Sequence, residues 1–414
     1  MSSVQVSDIA ELVERHERWR AKCWNLIASE NVTSHAVRAL TSSDLSHRYG
    51  DYEGIDLRAR KYCGNRFILE VEQRGHDLAR ALFGAQYVDL RPLSGHVAGI
   101  APLLALCRPG DTVLELSREC GGHRLAAKMA YCRLVELRVV PIPFDVERLN
   151  IDVDATMTLI EREKPRLVIL GSSCFLFPAP VAALRVGIDA LDSDTVLQYD
   201  ASHVLGLIAG GRFQCPLAEG AHLVTSSTHK TLGGPQGGLI LTNSEVIAEA
   251  VGNAMRSLVA NHHLHRLPAL CAAFAEWAEC GAAAVDKIVE SARGLGAALE
   301  AQGVSVVGSH LRYTASHTIL LRTKELGPAS ELARQLENAN IIVSVCCLPD
   351  PLGPEGIRLG TQEMVRRGMV AGDTDEVAAV IAAVLQQRID GAAARKRVGE
   401  LARKMSERVA GPAS

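Results

Sequence analysis

Aromatic side chains are scarce in this chain. Tryptophan, tyrosine and phenylalanine together make up only 4% of 414 residues, which argues against the stacking platforms that hold single-stranded nucleic acid. A surplus of either charge is missing too. The formal net charge is -3, so there is no electrostatic case for nucleic acid or an anionic membrane surface as a partner. No apolar run reaches the ~18 residues a membrane helix needs. The opening MSSVQVSDIAELVERHERWR is charged and helical in pattern, unlike a signal or transit peptide. The 11 cysteines never form a CxxC pair, which argues against zinc ribbons and thioredoxin chemistry and leaves no metal-ligand spacing. Their odd, scattered count, with Cys346 and Cys347 adjacent, points to reduced thiols in a cytoplasm, mostly as small buried hydrophobes.

What is present is an ordinary globular balance, 48% hydrophobic and 22% charged, in a length that suits two domains. An amphipathic helical pattern covers residues 5–24. A polar, turn-rich stretch follows, then a helix near 69–83. Short runs rich in β-branched and apolar residues at 111–116, 135–141, 166–171, 195–200 and 222–226 read as strands. Helical patterns such as 97–107 and 155–164 lie between them. Strands alternating with helices predict an α/β fold with a mostly parallel sheet covered on both faces. Beyond Leu241 the pattern turns to long Ala/Leu/Glu-rich helices at 244–260, 268–302 and 329–338, with strands near 304–307 and 317–321. The expected organisation is a helical arm over 1–30, a large domain over 31–264 and a smaller α/β domain over 265–414. The basic C-terminal helix, running into a loose tail, reads as a solvated surface.

One segment carries more information than any other: Val224-Thr225-Ser226-Ser227-Thr228-His229-Lys230-Thr231-Leu232-Gly233-Gly234. It is a short apolar strand, a hydroxyl-rich turn, a lysine and a glycine-rich exit. Packing does not explain the lysine, because burying an unpaired ammonium costs several kcal/mol, on the order of the penalty for any unpaired buried ion. An amine in such surroundings can bond covalently to a carbonyl, which is how pyridoxal phosphate is held. Two further groups join the lysine turn at expected strand ends, where open α/β sheets bind ligands. Ser94-Gly95-His96 opens an apolar helix and offers free N–H groups to a phosphate. Asp200 ends an apolar strand and suits a protonated pyridine nitrogen; capping of the next helix is the alternative. Cys120-Gly121-Gly122-His123 places a flat ring behind two glycines. Late in the chain, Gly356-Ile357-Arg358-Leu359-Gly360-Thr361 sets one arginine among apolar residues. Its fork wants a carboxylate, of a substrate or of the protein.

In this order, Ser-Gly, Gly-Gly-His, Asp-x-x-His, Thr-His-Lys and Ile-Arg-Leu-Gly form a constellation that resembles serine hydroxymethyltransferase, a fold-type-I pyridoxal phosphate family. The resemblance spans nearly the whole chain, from Leu26-Ile27-Ala28-Ser29-Glu30-Asn31 onward. Asn261-His262-His263-Leu264-His265 and Ser173-Cys174-Phe175-Leu176-Phe177-Pro178 look closest to the archaeal, methanogen-type branch. The resemblance implies that Lys230 carries the cofactor and that Asp200 faces the pyridine nitrogen. It implies that His123 stacks on the ring, that His203 lies near its phenolic oxygen, and that Ser94 and Gly95 bind phosphate. Thr228 and His229 flank the lysine as catalytic and cofactor-binding candidates. Arg358 and Ser29, with Tyr62, are implied to hold the amino-acid substrate. Tyr49 is implied to reach a neighbouring subunit's cofactor, in a homodimer or dimer of dimers with shared sites.

The departures from the family pattern are as informative. The usual Tyr-Ala-Glu-Gly-Tyr-Pro-Gly becomes Tyr49-Gly50-Asp51-Tyr52-Glu53-Gly54, followed by an insertion over 55–60. The catalytic glutamate therefore maps onto Asp51, or onto Glu53 if the gap moves. The second tyrosine of the following Tyr-Tyr pair is Cys63, and Arg124-Leu125-Ala126 follows His123. These positions surround the reduced folate in members that use it. The expectation is a folate-independent aldol transfer on a β-hydroxy amino acid such as serine or threonine, with an aldehyde as second substrate. Ordinary serine–glycine hydroxymethyl transfer with a reduced pterin is the alternative. A racemase or aminotransferase shares the cofactor without motif support, and a catalytically silent binding subunit conflicts with the intact Lys230, Asp200 and Arg358.

Overall fold

The computed structural model describes residues 5–410. The first four residues of the expected arm, and the tail expected at 411–414, lie outside the described residues. The chain divides into two compact units, one of residues 31–286 with 347–351, the other of residues 1–30, 287–346 and 352–414. The division falls at 286/287, inside one long helix, where the sequence pattern had set it near 265. Residues 1–30 belong to the second unit instead of forming an arm of their own. The reason is visible in the backbone. Trp24 and Asn25 pair in parallel with Ile341 and Ile342, and Trp24 and Leu26 are buried among Ile319, Ile357 and Leu359.

The chain opens with helix α1 (Val6–Arg20), none of whose residues is buried. The unit of residues 31–286 is built on helices α2 (Arg66–Phe83), α3 (Gly95–Leu106), α4 (Leu125–Tyr131) and α5 (Glu245–Leu258), and on the first part of α6 (Arg266–Ala301). The seven strands of its main sheet are β1 (Tyr87–Asp89), β2 (Thr112–Glu115), β3 (Arg138–Pro141), β4 (Leu167–Leu170), β5 (Val196–Asp200), β6 (Leu223–Ser227) and β7 (Gly238–Thr242). They lie in the order β1-β7-β6-β5-β4-β2-β3. Only β7 runs against its neighbours; the other pairings are parallel. The central strands β4, β6 and β7 are buried at every position, as a sheet covered on both faces requires. Val113, Leu167, Ile169, Val196, Leu223 and Ile240 form the core beneath α3 and α5.

The second unit has its own sheet of β8 (Thr318–Arg322), β9 (Ser344–Cys347) and β10 (Glu355–Gly360), ordered β8-β10-β9. Helices α7 (Ala329–Asn338), α8 (Thr374–Leu385) and α9 (Gly391–Ala410) belong with it. The strand expected at 304–307 is a correction. Only the isolated bridge Val306↔Leu321 forms there, because Gly303 and Gly308, both at positive φ, bound the segment too tightly for a ladder.

Candidate active site

The C-terminal ends of β5 and β6 stand side by side, and the lysine turn follows β6. Its hydroxyl and glycine residues close it on itself. Thr228 N–H donates to Gly237 O at 3.1 Å, Gly234 N–H to Thr228 O at 3.0 Å and Gly233 N–H to Lys230 O at 2.9 Å. Gly233 sits at φ 66°, a conformation that favours glycine. Neighbours pin the outer side of the turn. Asn31 Nδ2 donates to Lys230 O at 3.0 Å and Thr231 O at 3.2 Å. Trp277 Nε1 donates to Leu232 O at 2.6 Å. The lysine therefore leaves from a fixed backbone.

Lys230 lines a cavity of about 220 Å³ together with Ser94, Gly95, His123, Asp200 and His203. His96, Ser172, Ser173, Ser202, Ser227 and His229 complete most of its wall. Close backbone approach builds this wall. A Cβ at Gly95 would lie 2.8 Å from Ser227 N and 3.0 Å from Ser202 Oγ, so glycine lets the start of α3 close on β6. Ser94 caps that helix, its Oγ accepting from Val97 N at 3.1 Å. The helix start is thereby turned toward the cavity, as an anion requires. Gly171 leaves room for Asp200 in the same way, since a Cβ there would meet the Asp200 Cβ at 2.7 Å. Asp200 Oδ1 accepts from Ser202 N at 2.9 Å, which orients the carboxylate at the end of β5.

Three histidines crowd this space besides His203, which is buried. His229 has a buried Nδ1 with no hydrogen-bond partner. Burial and then the Lys230 ammonium push its pKa down to about 4, so the imidazole is neutral at pH 7. His96 Nδ1 lies 3.3 Å from His123 Nε2, with the rings edge to face at 5.5 Å between centroids. Burial, with Lys128 beside them, lowers both pKa values, while the Asp200 carboxylate opposes the shift. A donor and acceptor wall, a carboxylate, a lysine and a capped helix start thus converge. That set fits pyridoxal phosphate: the helix start and serines suit its phosphate, Asp200 its ring nitrogen and Lys230 its aldehyde.

Other candidates sit elsewhere. The Thr228 hydroxyl donates to Pro235 O at 2.6 Å and is fully buried, so it staples the turn; it does not line the cavity. Tyr49 and Tyr62 are exposed, at 53% and 40%, and pack on one another at 5.2 Å. Asp51 is half-buried and Glu53 exposed, and Glu53 forms an ion pair with Arg256 at 3.1 Å. None of these four lines the cavity. Ser29 and Arg358 belong to the other unit. There Arg358 lies opposite Leu320 in the sheet, with its Nε 3.3 Å from Ser344 Oγ. The segment before Ser29 is held beside that sheet, His317 Nε2 lying 3.1 Å from Ala28 O. Sequence reasoning gave no role to Asn31 or His96. Their adjacency to the LIASEN and Ser-Gly motifs was the available signal.

A mostly parallel sheet whose strand ends carry a lysine turn, a carboxylate and a glycine-opened helix defines a pyridoxal phosphate enzyme of fold type I. The serine hydroxymethyltransferase profile matches residues 3–381. The serine hydroxymethyltransferase of Methanopyrus kandleri is 42% identical over 407 residues, 97% of this chain and 94% of that protein. The one from Pyrococcus furiosus is 41% identical over 401 residues, 94% of this chain and 93% of its own. The chain belongs to the serine hydroxymethyltransferase family. The solved structure of L-threonine transaldolase from Pseudomonas fluorescens superposes with a TM-score of 0.91 at 29% identity, covering 97% of this chain and 91% of that one.

Proposed function

We propose that this enzyme cleaves the Cα–Cβ bond of a β-hydroxy amino acid, threonine above all, and passes the amino-acid fragment to an aldehyde without a reduced folate. The observation that carries this reading is the contrast between an intact Lys230 cavity and a rebuilt segment over residues 49–65. In that segment Cys63 is exposed, and the insertion folds back on itself: Glu53 N–H donates to Ala59 O at 3.0 Å and Asp56 N–H to Glu53 O at 3.3 Å. Similarity to an L-threonine transaldolase structure supports it. The names of the ~40% identical relatives favour the second reading, serine–glycine hydroxymethyl transfer.

The bound cofactor supplies the electron sink that makes loss of the aldehyde fragment possible. The chain supplies position and protons. Lys230 would hold the cofactor from a backbone fixed by its turn, Asp200 would pair with the ring nitrogen, and His123 would lie against the ring, all three lining one cavity. His203, three residues after Asp200, is in reach of the same space. The neutral His229 and the His96–His123 pair are proton acceptors at pH 7. We assign Arg358 and Ser29 to the substrate carboxylate, and Tyr62 to substrate binding. Asp51 or Glu53 takes the glutamate's part, and Tyr49 acts on a second copy's cofactor in a homodimer in the cytoplasm. The test is product analysis with threonine and a panel of aldehydes, beside serine with tetrahydrofolate. New β-hydroxy amino acids formed without folate are expected. Serine turnover strictly dependent on folate, with no product from any aldehyde, would overturn the reading.

A further inference from the structure

His123 has a fixed backbone and a ring that packing leaves open. Gly121 N–H donates to Arg118 O at 3.0 Å, Gly122 N–H to Ser117 O at 2.8 Å and Ser173 N–H to Gly121 O at 2.6 Å. A Cβ at Gly122 would lie 1.9 Å from Leu116 O, so no side chain fits beside the histidine there. The ring itself is exposed, and an exposed imidazole turns easily about its last torsion. What meets it is His96, Nδ1 to Nε2 at 3.3 Å, with the rings edge to face at an interplanar angle of 80°.

His96 is well placed to hold another ring. It lies in the first turn of α3, behind the Ser94 cap. Gly99, three positions on and so on the same helix face, leaves room for Leu125: a Cβ there would lie 2.3 Å from Leu125 Cδ2. Glycine thus lets α3 close on α4 and brings His96 against His123. The positive end of the helix disfavours a cation at His96. Desolvation by the surrounding wall, and then Lys128 of α4, lower both pKa values; Asp200 opposes this, and Lys230 adds to it at His123. His203 and His229 line the same cavity. Two neutral imidazoles joined by one hydrogen bond must take complementary tautomers, one donating and one accepting.

We propose that His96 is a positioning residue, which holds the His123 ring in one plane and one tautomer at the wall of the Lys230 cavity. This role rests on the reading that the cavity takes pyridoxal phosphate with His123 against its ring. The test follows the nitrogen resonances of isotope-labelled histidine in the cofactor-free protein, with His123→Gln to assign the signal. His123 should show one tautomer, and His96→Leu should turn it into an averaged mixture. His96→Asn should restore it, because its amide is attached at Cγ as Nδ1 is. His96→Gln should not, because its amide lies one atom further out. In the holoenzyme His96→Leu should weaken the cofactor's visible circular dichroism. It should also lower kcat about fivefold, as for one neutral hydrogen bond, with KM for the amino acid little changed. Should His96→Leu fold poorly, the asparagine and glutamine variants still separate the outcomes. A His123 tautomer unmoved by His96→Leu, or restored no better by asparagine than by glutamine, would overturn the proposal. Nitrogen shifts that move without any change in the cofactor's dichroism would uphold it, and would overturn instead the placement of His123 against the ring.

Discussion

Two cavities of nearly equal size, about 220 and 210 Å³, occupy the same unit and are built by opposite means. The first lies at strand ends and is walled by glycines, serines and histidines. Its shape comes from backbones that approach closely because side chains are absent. The second lies at the β1 edge of the sheet and is walled by long side chains. Its shape comes from a buried charge network: Arg60 and His262 on Glu72 at 2.5 and 2.9 Å, and Arg91 on Asp89, with Arg91 stacked 4.4 Å over the Tyr52 ring. The comparison teaches where each kind of change should register. Damage to the network should register as stability, and damage to the strand ends as turnover.

The largest expected effect breaks the network. Arg60→Ala leaves Glu72, fully buried, short of one of its two partners. Removing a partner from a buried ion pair costs on the order of 3–5 kcal/mol, although His262 remains to hold part of that charge. Denaturant unfolding should show a loss of this size, and a loss under about 1 kcal/mol would mean that the network is dispensable. Acid should expose the same region in two windows. Burial drives His76 down to about 4, below its unfolded value near 6.5. The unfolded state then binds the extra proton, so stability falls as pH drops from about 6.5 to 4, by roughly 3 kcal/mol at most. Glu72, despite burial, is held near 2 by His262 and Arg60. Its contribution is complete above about 4.5 and is lost as pH falls toward 2. In His76→Phe the upper window of a stability–pH profile should shrink by the His76 share, since His222, His229 and His317 are also driven to about 4, while the lower one persists.

How far this contrast was legible follows from the way each cavity is made. The strands at 196–200 and 223–227 announced themselves by β-branched apolar runs, and Lys230, Asp200 and Gly95 by residue types that packing does not explain. The antiparallel β7 hid behind the glycine-rich exit of the lysine turn, because Gly237 and Gly238 read as loop. Val304–Val307 carries the strand signal, but its flanking glycines stop the ladder. His96 was written beside Ser94-Gly95, yet its contact with His123, twenty-seven positions away, is set by α3 and the Gly121 turn meeting in space. The second cavity was not legible at all. Its wall comes from α2, β1, β7 and α5, and nothing local in 55–58 says that this segment lines it too.

At the strand ends the next effect is on rate. Asp200→Ala removes a carboxylate that Ser202 N orients at 2.9 Å. Losing a preorganised electrostatic stabiliser typically costs ~3 kcal/mol of barrier, on the order of a hundredfold in turnover. The thermal midpoint of the apoenzyme should move little, because Asp200 is only half-buried and its partner is a backbone N–H. Near-normal turnover would reduce Asp200 to a cap of the following turn. A large fall in apoenzyme stability would dissolve the distinction between the two cavities.

The smallest effect tests a residue outside both cavities. Arg358 sits on β10 with its neighbours Ile357 and Leu359 fully buried, so the strand fixes the backbone from which its guanidinium extends. Lysine at this position keeps the charge but loses the planar fork that grips a carboxylate at two points. Arg358→Lys should therefore fold normally and weaken amino-acid binding by about tenfold, ~1.4 kcal/mol. The loss should be similar for serine, threonine and glycine, since all three share the carboxylate and differ only beyond Cα. Titration of each amino acid against the holoenzyme's absorbance reads this directly. Affinity unchanged from the unsubstituted enzyme for all three would return Arg358 to a structural role beside Ser344. A loss confined to threonine would instead make it a reader of the side chain.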